Sequence, residues 1–189
     1  NSAAAQLDAG ARWLWRFPPR RVEAEVLRDG VLAVAGTLDP TMGGPGFRIH
    51  GNKKRYEGWQ VVDNHGPGTW RRMIYQERMR GIDDLMFTAF DRPECGQVTP
   101  KRTSSTTPLQ ALNLLNGSFL LEQTEKLAER VRIEAGGDVA AQVRRAFALA
   151  FSRVPDADEA HAAEDLVRQY GLAALGRALL NSNEFAFIE

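Results

Sequence analysis

The chain has one cysteine, Cys95, in 189 residues. That excludes an intrachain disulfide, a multi-cysteine metal site and a CxxCH motif for covalent haem. It also has no net charge, with 24 basic against 24 acidic residues, so the field that draws nonspecific polyanion binders to nucleic acid is missing. No apolar run reaches the roughly 18–20 residues of a membrane span. No GxSxG elbow surrounds Ser104 or Ser105, nothing around Cys95 marks a nucleophile, and there is no repeat of solenoid period. These absences set the expectation of no cofactor and no metal in these residues, no nucleic-acid partner and no membrane span. The chain starts at Asn1 without methionine or a signal-peptide pattern, so a longer parent polypeptide is expected.

What is present is an ordinary globular composition, 43% hydrophobic and 25% charged, with 17 glycines and 9 prolines concentrated unevenly. The length suits a single domain, 1–189, in three stretches. Residues 1–38 hold an N-terminal segment and a helix expected over 20–38, entered through Pro18-Pro19. At about 100° per residue its apolar side chains cover most of the circumference, which predicts a buried helix. Arg21, Arg28, Glu25 and Asp29 share the remaining arc, while Glu23 falls among apolar residues and calls for an arginine partner. Residues 39–102 are dense in glycine and proline, with candidate strands at FRIH and GWQVVD, an extended RRMIYQERM and a short helix at DDLMFTAF capped by Asp83.

Residues 103–189 predict a helical bundle. Thr107 before Pro108 is an N-cap with a first-turn proline, Asn116-Gly117-Ser118 separates two helices, and Gly136-Gly137 ends the second. Asp138 caps a helix with Val139, Val143, Ala146, Phe147 and Ala150 at i, i+4, i+7 spacing. Asp156 and Glu159 form a capping box for another that stops at Gly171, and GLAALGRALLN supplies the last. The fold expected is mainly α, a helical domain with a glycine-rich middle segment that carries a small β element at most, and a C-terminal helical bundle.

The stretch WLWRFPPRRVEAEVLRD concentrates the candidate chemistry. Glu25 and Asp29 are one helical turn apart, and paired carboxylates perform general acid and base work when one is pushed upward in pKa. Arg21 and Arg28, at i, i+4 and i, i+3 from Glu25, instead predict a charge network that keeps both ionised. Asp91, in FDRP, joins Glu23, Glu25 and Asp29 as a catalytic candidate, with turn capping as the competing role. Arg16, Arg21, Arg28, Arg72 and Tyr75 are the binding candidates, because arginines interleaved with Trp13, Trp15, Phe17, Trp59 and Trp70 suit a glycan platform as well as a packed core. Asp63 with His65, and His50, are too few for a metal site, and His161 is expected on a solvated helix face. TMGGPG invites a phosphate-loop reading but lacks both GxxxxGK[ST] and GxGxxG, so a tight turn is expected.

WRFPPRRVEAEVLRD, LDPTMGGPGF, RRMIYQ, FDRPECGQ, KRTSSTTPLQALNLLN and RALLNSNEF, in this order, resemble the planctomycete-specific domain known as domain of unknown function 1553. The resemblance spans nearly the whole chain. It implies the C-terminal part of a large exported protein, periplasmic or cell-surface, whose upstream domains often include a c-type cytochrome. Any haem would belong to those upstream domains, which are the partners the resemblance implies. The expected role is a noncatalytic interaction or structural module; the alternative is a hydrolase acting on polysaccharide through the Glu and Asp candidates.

Overall fold

The computed structural model describes residues 2–17, 19–51, 65–79, 88–93, 96 and 98–188. Among these the structure is mainly helical. After a short α1 (Ser2–Leu7) and a two-residue β1 (Arg20–Arg21), α2 runs Ala24–Ala35. Helices α3 (Pro108–Asn116), α4 (Ser118–Ala135), α5 (Val139–Phe151), α6 (Ala157–Tyr170) and α7 (Leu172–Leu180) form the C-terminal half, followed by α8 (Asn183–Ala186) and β2 (Phe187–Ile188).

The helix ends of this half are set locally, as expected. Gln110 Oε1 accepts from the Thr107 N–H at 3.3 Å at the start of α3. Asp138 accepts from the Ala141 N–H at 3.0 Å to begin α5, and Asp156 and Glu159 exchange reciprocal bonds of 2.8 and 2.9 Å to begin α6. Each cap satisfies donors that the first turn leaves without a partner, worth about 1 kcal/mol apiece.

Helix α4 is the axis of the bundle and packs against α2, α3, α5 and α7. One continuous core joins Leu27, Val31 and Leu32 of α2 with Phe119, Leu120, Leu127 and Val131 of α4, and with Leu175, Leu179 and Leu180 of α7. Each such side chain contributes about 1.5–3 kcal/mol on burial. Helix α7 approaches closely at Gly176, where a Cβ would lie 3.3 Å from Leu127 Cδ2.

Three expectations from sequence are corrected. Helix α2 spans Ala24–Ala35 rather than 20–38: Gly36, at φ 79°, ends it, and Arg20–Arg21 are extended because they pair antiparallel with Phe187–Ile188. Second, α2 is not apolar all round, since Val26 is exposed while Arg28 is buried. Third, the regular sheet among the described residues is this two-stranded clip, β1 with β2, which the sequence did not point to, and FRIH forms no strand. At 39–51 and 65–79 there are isolated bridges instead, Asp39 to Arg71 and Phe47 to Gln76, and RRMIYQERM contains a 3-10 turn at Met73–Tyr75. GWQVVD and most of DDLMFTAF, including Asp83, lie outside the described residues, as do Trp59, Asp63 and Cys95.

Candidate functional site

Among the described residues of the middle segment there are few ladder hydrogen bonds, and arginine side chains hold the backbone. Arg28, 1% exposed, donates through Nη1 to the Arg71 carbonyl at 2.8 Å and through Nη2 to the Thr69 carbonyl. Its guanidinium lies 5.0 Å from the Phe47 ring centroid and 5.5 Å from that of Phe119. A fixed planar fork that bonds two carbonyls while stacking between rings is a role lysine cannot fill.

Arg71 does the same for the glycine-rich loop. Its guanidinium donates to the carbonyls of Thr41 at 3.0 Å, Gly43 and Pro45, and sits 4.0 Å above the Tyr75 ring. The Tyr75 hydroxyl accepts from the Gly43 N–H at 2.7 Å. TMGGPG thus aims carbonyl oxygens at a cation, the opposite polarity to a phosphate cradle, which aims N–H groups at an anion. Gly46 must be glycine on steric grounds: a Cβ there would stand 2.6 Å from the Tyr75 carbonyl oxygen.

Four carboxylates gather near the start of α2 and the adjoining loops. Glu25 is held face to face by Arg102, at 2.8 and 3.0 Å, with Arg92 Nε at 3.9 Å. Burial pushes its carboxyl upward, but the Arg102 hydrogen bonds and the charges of Arg102 and Arg92 outweigh that and hold it below the usual range. Asp29 Oδ1 accepts the Met73 N–H at 2.8 Å, with Arg28 at 3.6 Å and Arg72 at 3.8 Å. Burial dominates there: despite that hydrogen bond and those cations, and with Glu25 adding repulsion, the Asp29 carboxyl is raised above its ordinary value. The two carboxyls of the pair are therefore shifted in opposite directions, Glu25 down and Asp29 up.

Asp91, at φ 58°, closes a turn and engages both oxygens. Oδ1 accepts from the Ser105 hydroxyl at 2.8 Å, and Oδ2 from the Ser105 N–H at 2.8 Å and from Arg21. Glu23 is the exception to its expected setting: it does meet an arginine, Arg102 at 3.3 Å, but its side chain is 54% exposed. The reason is the later helix start, which leaves Glu23 as the N-cap residue of α2 rather than inside an apolar face.

The helix-face pairs of Arg21 and Arg28 with Glu25 do not form; Arg21 reaches Asp91 and Arg28 reaches backbone carbonyls. Arg16 bonds the Ala9 carbonyl at 3.0 Å and covers Trp15, so its bonds stay within the N-terminal arm. Arg72 is exposed at the edge of the network beside Asp29, and Tyr75 supports the glycine-rich loop. His65 is buried against Phe119 and His161 is exposed on α6. Sequence reasoning missed Arg71, Arg92, Arg102 and Ser105. Their motifs RRMIYQ, FDRP and KRTSSTTP stood out as distinctive stretches, but no local pattern pointed to their partners. No group of three His, Cys, Asp or Glu suited to a metal gathers among the described residues, and no helix of the described residues is long and apolar enough to cross a membrane.

Comparison with known families matches residues 1–167 to PSD1, described as a protein of unknown function (DUF1553), and the chain belongs to that family. No curated protein and no solved structure matches it.

Proposed function

We propose that this chain is a noncatalytic interaction or structural module of a larger exported protein, working beside upstream domains that include a c-type cytochrome. The observation that carries the reading is the use of its acidic groups. Both oxygens of Glu25 are taken by Arg102, and both oxygens of Asp91 by Arg21 and Ser105. A general acid or base needs an oxygen free to reach the substrate and a pKa near the working pH, and Glu25 is pushed in the wrong direction for an acid. Family membership adds no chemistry, since the family itself is of unknown function. The exported and cytochrome-associated setting rests on the motif resemblance alone.

One observation favours the hydrolase alternative: Asp29 is raised by burial, as an acid catalyst would be. A glycosidase of the usual kind needs a second free carboxylate about 5–9.5 Å away. The carboxylate one helical turn back is Glu25, which Arg102 holds. The test is a turnover screen of the purified chain against charged and neutral polysaccharides, with thermal melts of Glu25→Gln and Asp29→Asn alongside. The module reading expects no turnover and a destabilised Glu25→Gln. Saturable turnover that disappears in a fully folded Asp29→Asn would overturn it.

A further inference from the structure

A cleft of about 250 Å³ opens between β1, the Asp91 turn and the segment before α3. Its lining carries four cations, Arg20, Arg21, Lys101 and Arg102, against two carboxylates, Glu23 and Asp91. On a chain with no net charge this is a local excess of two positive charges. The carboxylates do not cancel it evenly: Asp91 pairs with Arg21, and Glu23 with Arg102, which Glu25 neutralises further from outside the cleft. Arg20 and Lys101, both exposed, meet no carboxylate among the described residues.

Arg21 is the buried cation of this lining. Arg21 is only 6% exposed in its side chain, and its Nε and Nη1 have no acceptor among the described residues. A guanidinium buried with part of its fork unsatisfied carries a desolvation cost, and its positive charge belongs to the lining of the cleft, where a neighbouring oxyanion is favoured by charge. Thr103 and Ser104 line the same cleft, and their hydroxyls make no bond within the described residues. The frame is fixed before any ligand arrives. Arg21 is anchored by the antiparallel pairing with Phe187 and by Asp91, and Asp91 by Ser105.

We propose that this cleft is a binding site for an oxyanion, a carboxylate or a sulfate or phosphate ester, borne on a body the size of one sugar ring or one amino acid. A bare inorganic ion would fill only part of the volume, so the lining is sized for the group that carries the charge as well as the charge itself. Arg20 and Lys101 attract it, Arg21 and Arg102 flank it, and the Thr103 and Ser104 hydroxyls donate to it. The proposal deepens the interaction-module reading by naming the ligand chemistry, and it can fail independently of that reading.

The test is isothermal titration of the purified chain with sodium glucuronate, inorganic sulfate, inorganic phosphate and neutral glucose, repeated on Lys101→Glu and on Lys126→Ala, a substitution on α4. At least one of the three anions should bind saturably and glucose should not. Lys101→Glu should weaken that binding roughly tenfold, as expected for reversing an exposed charge, and Lys126→Ala should leave it unchanged. Tighter binding of glucuronate than of the inorganic ions would identify a sugar-borne carboxylate; the reverse order would identify a tetrahedral oxyanion. Because sulfate stabilises many proteins through exclusion from their surface, the comparison with Lys101→Glu carries the conclusion. No saturable binding by any of the anions, or equal binding by Lys101→Glu, overturns the site and leaves the module reading standing. Polysaccharide turnover would do the reverse.

Discussion

Replacing Arg28 by methionine removes the largest fully buried side chain of the described residues while keeping a similar length. Two carbonyl acceptors, on Thr69 and Arg71, lose their donor, and two aromatic rings lose the guanidinium between them. A hydrogen bond to a charged group is worth about 1.5–3 kcal/mol and a desolvated cation–π contact up to about 2 kcal/mol. Against this, methionine relieves the cost of burying a charge, as replacements of whole buried ion pairs by apolar residues show. Arg28 differs from such a pair because its acceptors are backbone carbonyls that stay in place and cannot be replaced with it. The balance favours destabilisation of about 3–5 kcal/mol.

Urea unfolding monitored by tryptophan fluorescence reads this directly, since Trp70 lies in the segment that Arg28 anchors. For a chain of this length the loss corresponds to a fall in Tm on the order of 10 °C. Arg28→Lys should fall between wild type and methionine: an ammonium can reach one carbonyl but cannot bridge two while lying flat between rings. An Arg28→Met midpoint within about 1 kcal/mol of wild type would refute the anchoring argument, because the unpartnered carbonyls alone exceed that.

The exposed pair and the bidentate pair should separate cleanly: Glu23→Ala is expected to cost about 0.2–1 kcal/mol, and Glu25→Gln about 1–3 kcal/mol. Double-mutant cycles with Arg102→Ala read both couplings. Stability should fall as pH drops below about 4.5, because Glu25 and Glu184 sit below their ordinary values and Glu159 is lowered to about 2 by Arg153 and the Asp156 N–H. A lowered carboxyl stabilises above its unfolded pKa and loses that contribution as it protonates in the fold. Asp29, raised by burial, works in the opposite sense, favouring the fold below about pH 3.8 and losing that contribution as pH rises through its folded value. Acid unfolding curves for wild type and Arg153→Ala check the sign: the variant should show a shallower decline between pH 4.5 and about 2. Gly46→Ala should cost about 1–3 kcal/mol through the clash with the Tyr75 carbonyl, and an unchanged urea midpoint would show that the loop adjusts freely.

How far the sequence reaches follows from the range of the interactions that fix each feature. Thr107-Pro108, Asp138 and the Asp156/Glu159 box act within one helical turn, so those ends were legible as residue patterns. The start of α2 was not, because Arg20 and Arg21 continue an acceptable helical sequence and are drawn into β1 by Phe187 and Ile188, at the other end of the chain. The same limit explains Arg28. On a helical wheel it shares an arc with Glu25 and Asp29, and only the arrival of the Thr69 and Arg71 carbonyls makes that arc an interior. The charge cluster was legible as a cluster, whereas its pairings span 70 residues for Arg21 with Asp91 and 77 for Arg102 with Glu25.

These long spans give the arginines a common logic. A segment rich in glycine and proline forms few ladder bonds, yet its buried carbonyls still require donors. Arginine supplies several from one side chain and keeps its charge in any surroundings, so Arg28 and Arg71 can order backbone that, among the described residues, lies outside any sheet. Carboxylates are then needed only where the donor fork meets other side chains, at Arg102 and Arg21. Arg102 meets both oxygens of Glu25 through its two terminal nitrogens, whereas Arg21 has more donors than Asp91 and the Phe90 carbonyl can take. The network is therefore tightly paired at Glu25 and incompletely satisfied at Arg21, a residue that lines the cleft together with Arg20 and Lys101, where the local charge is positive.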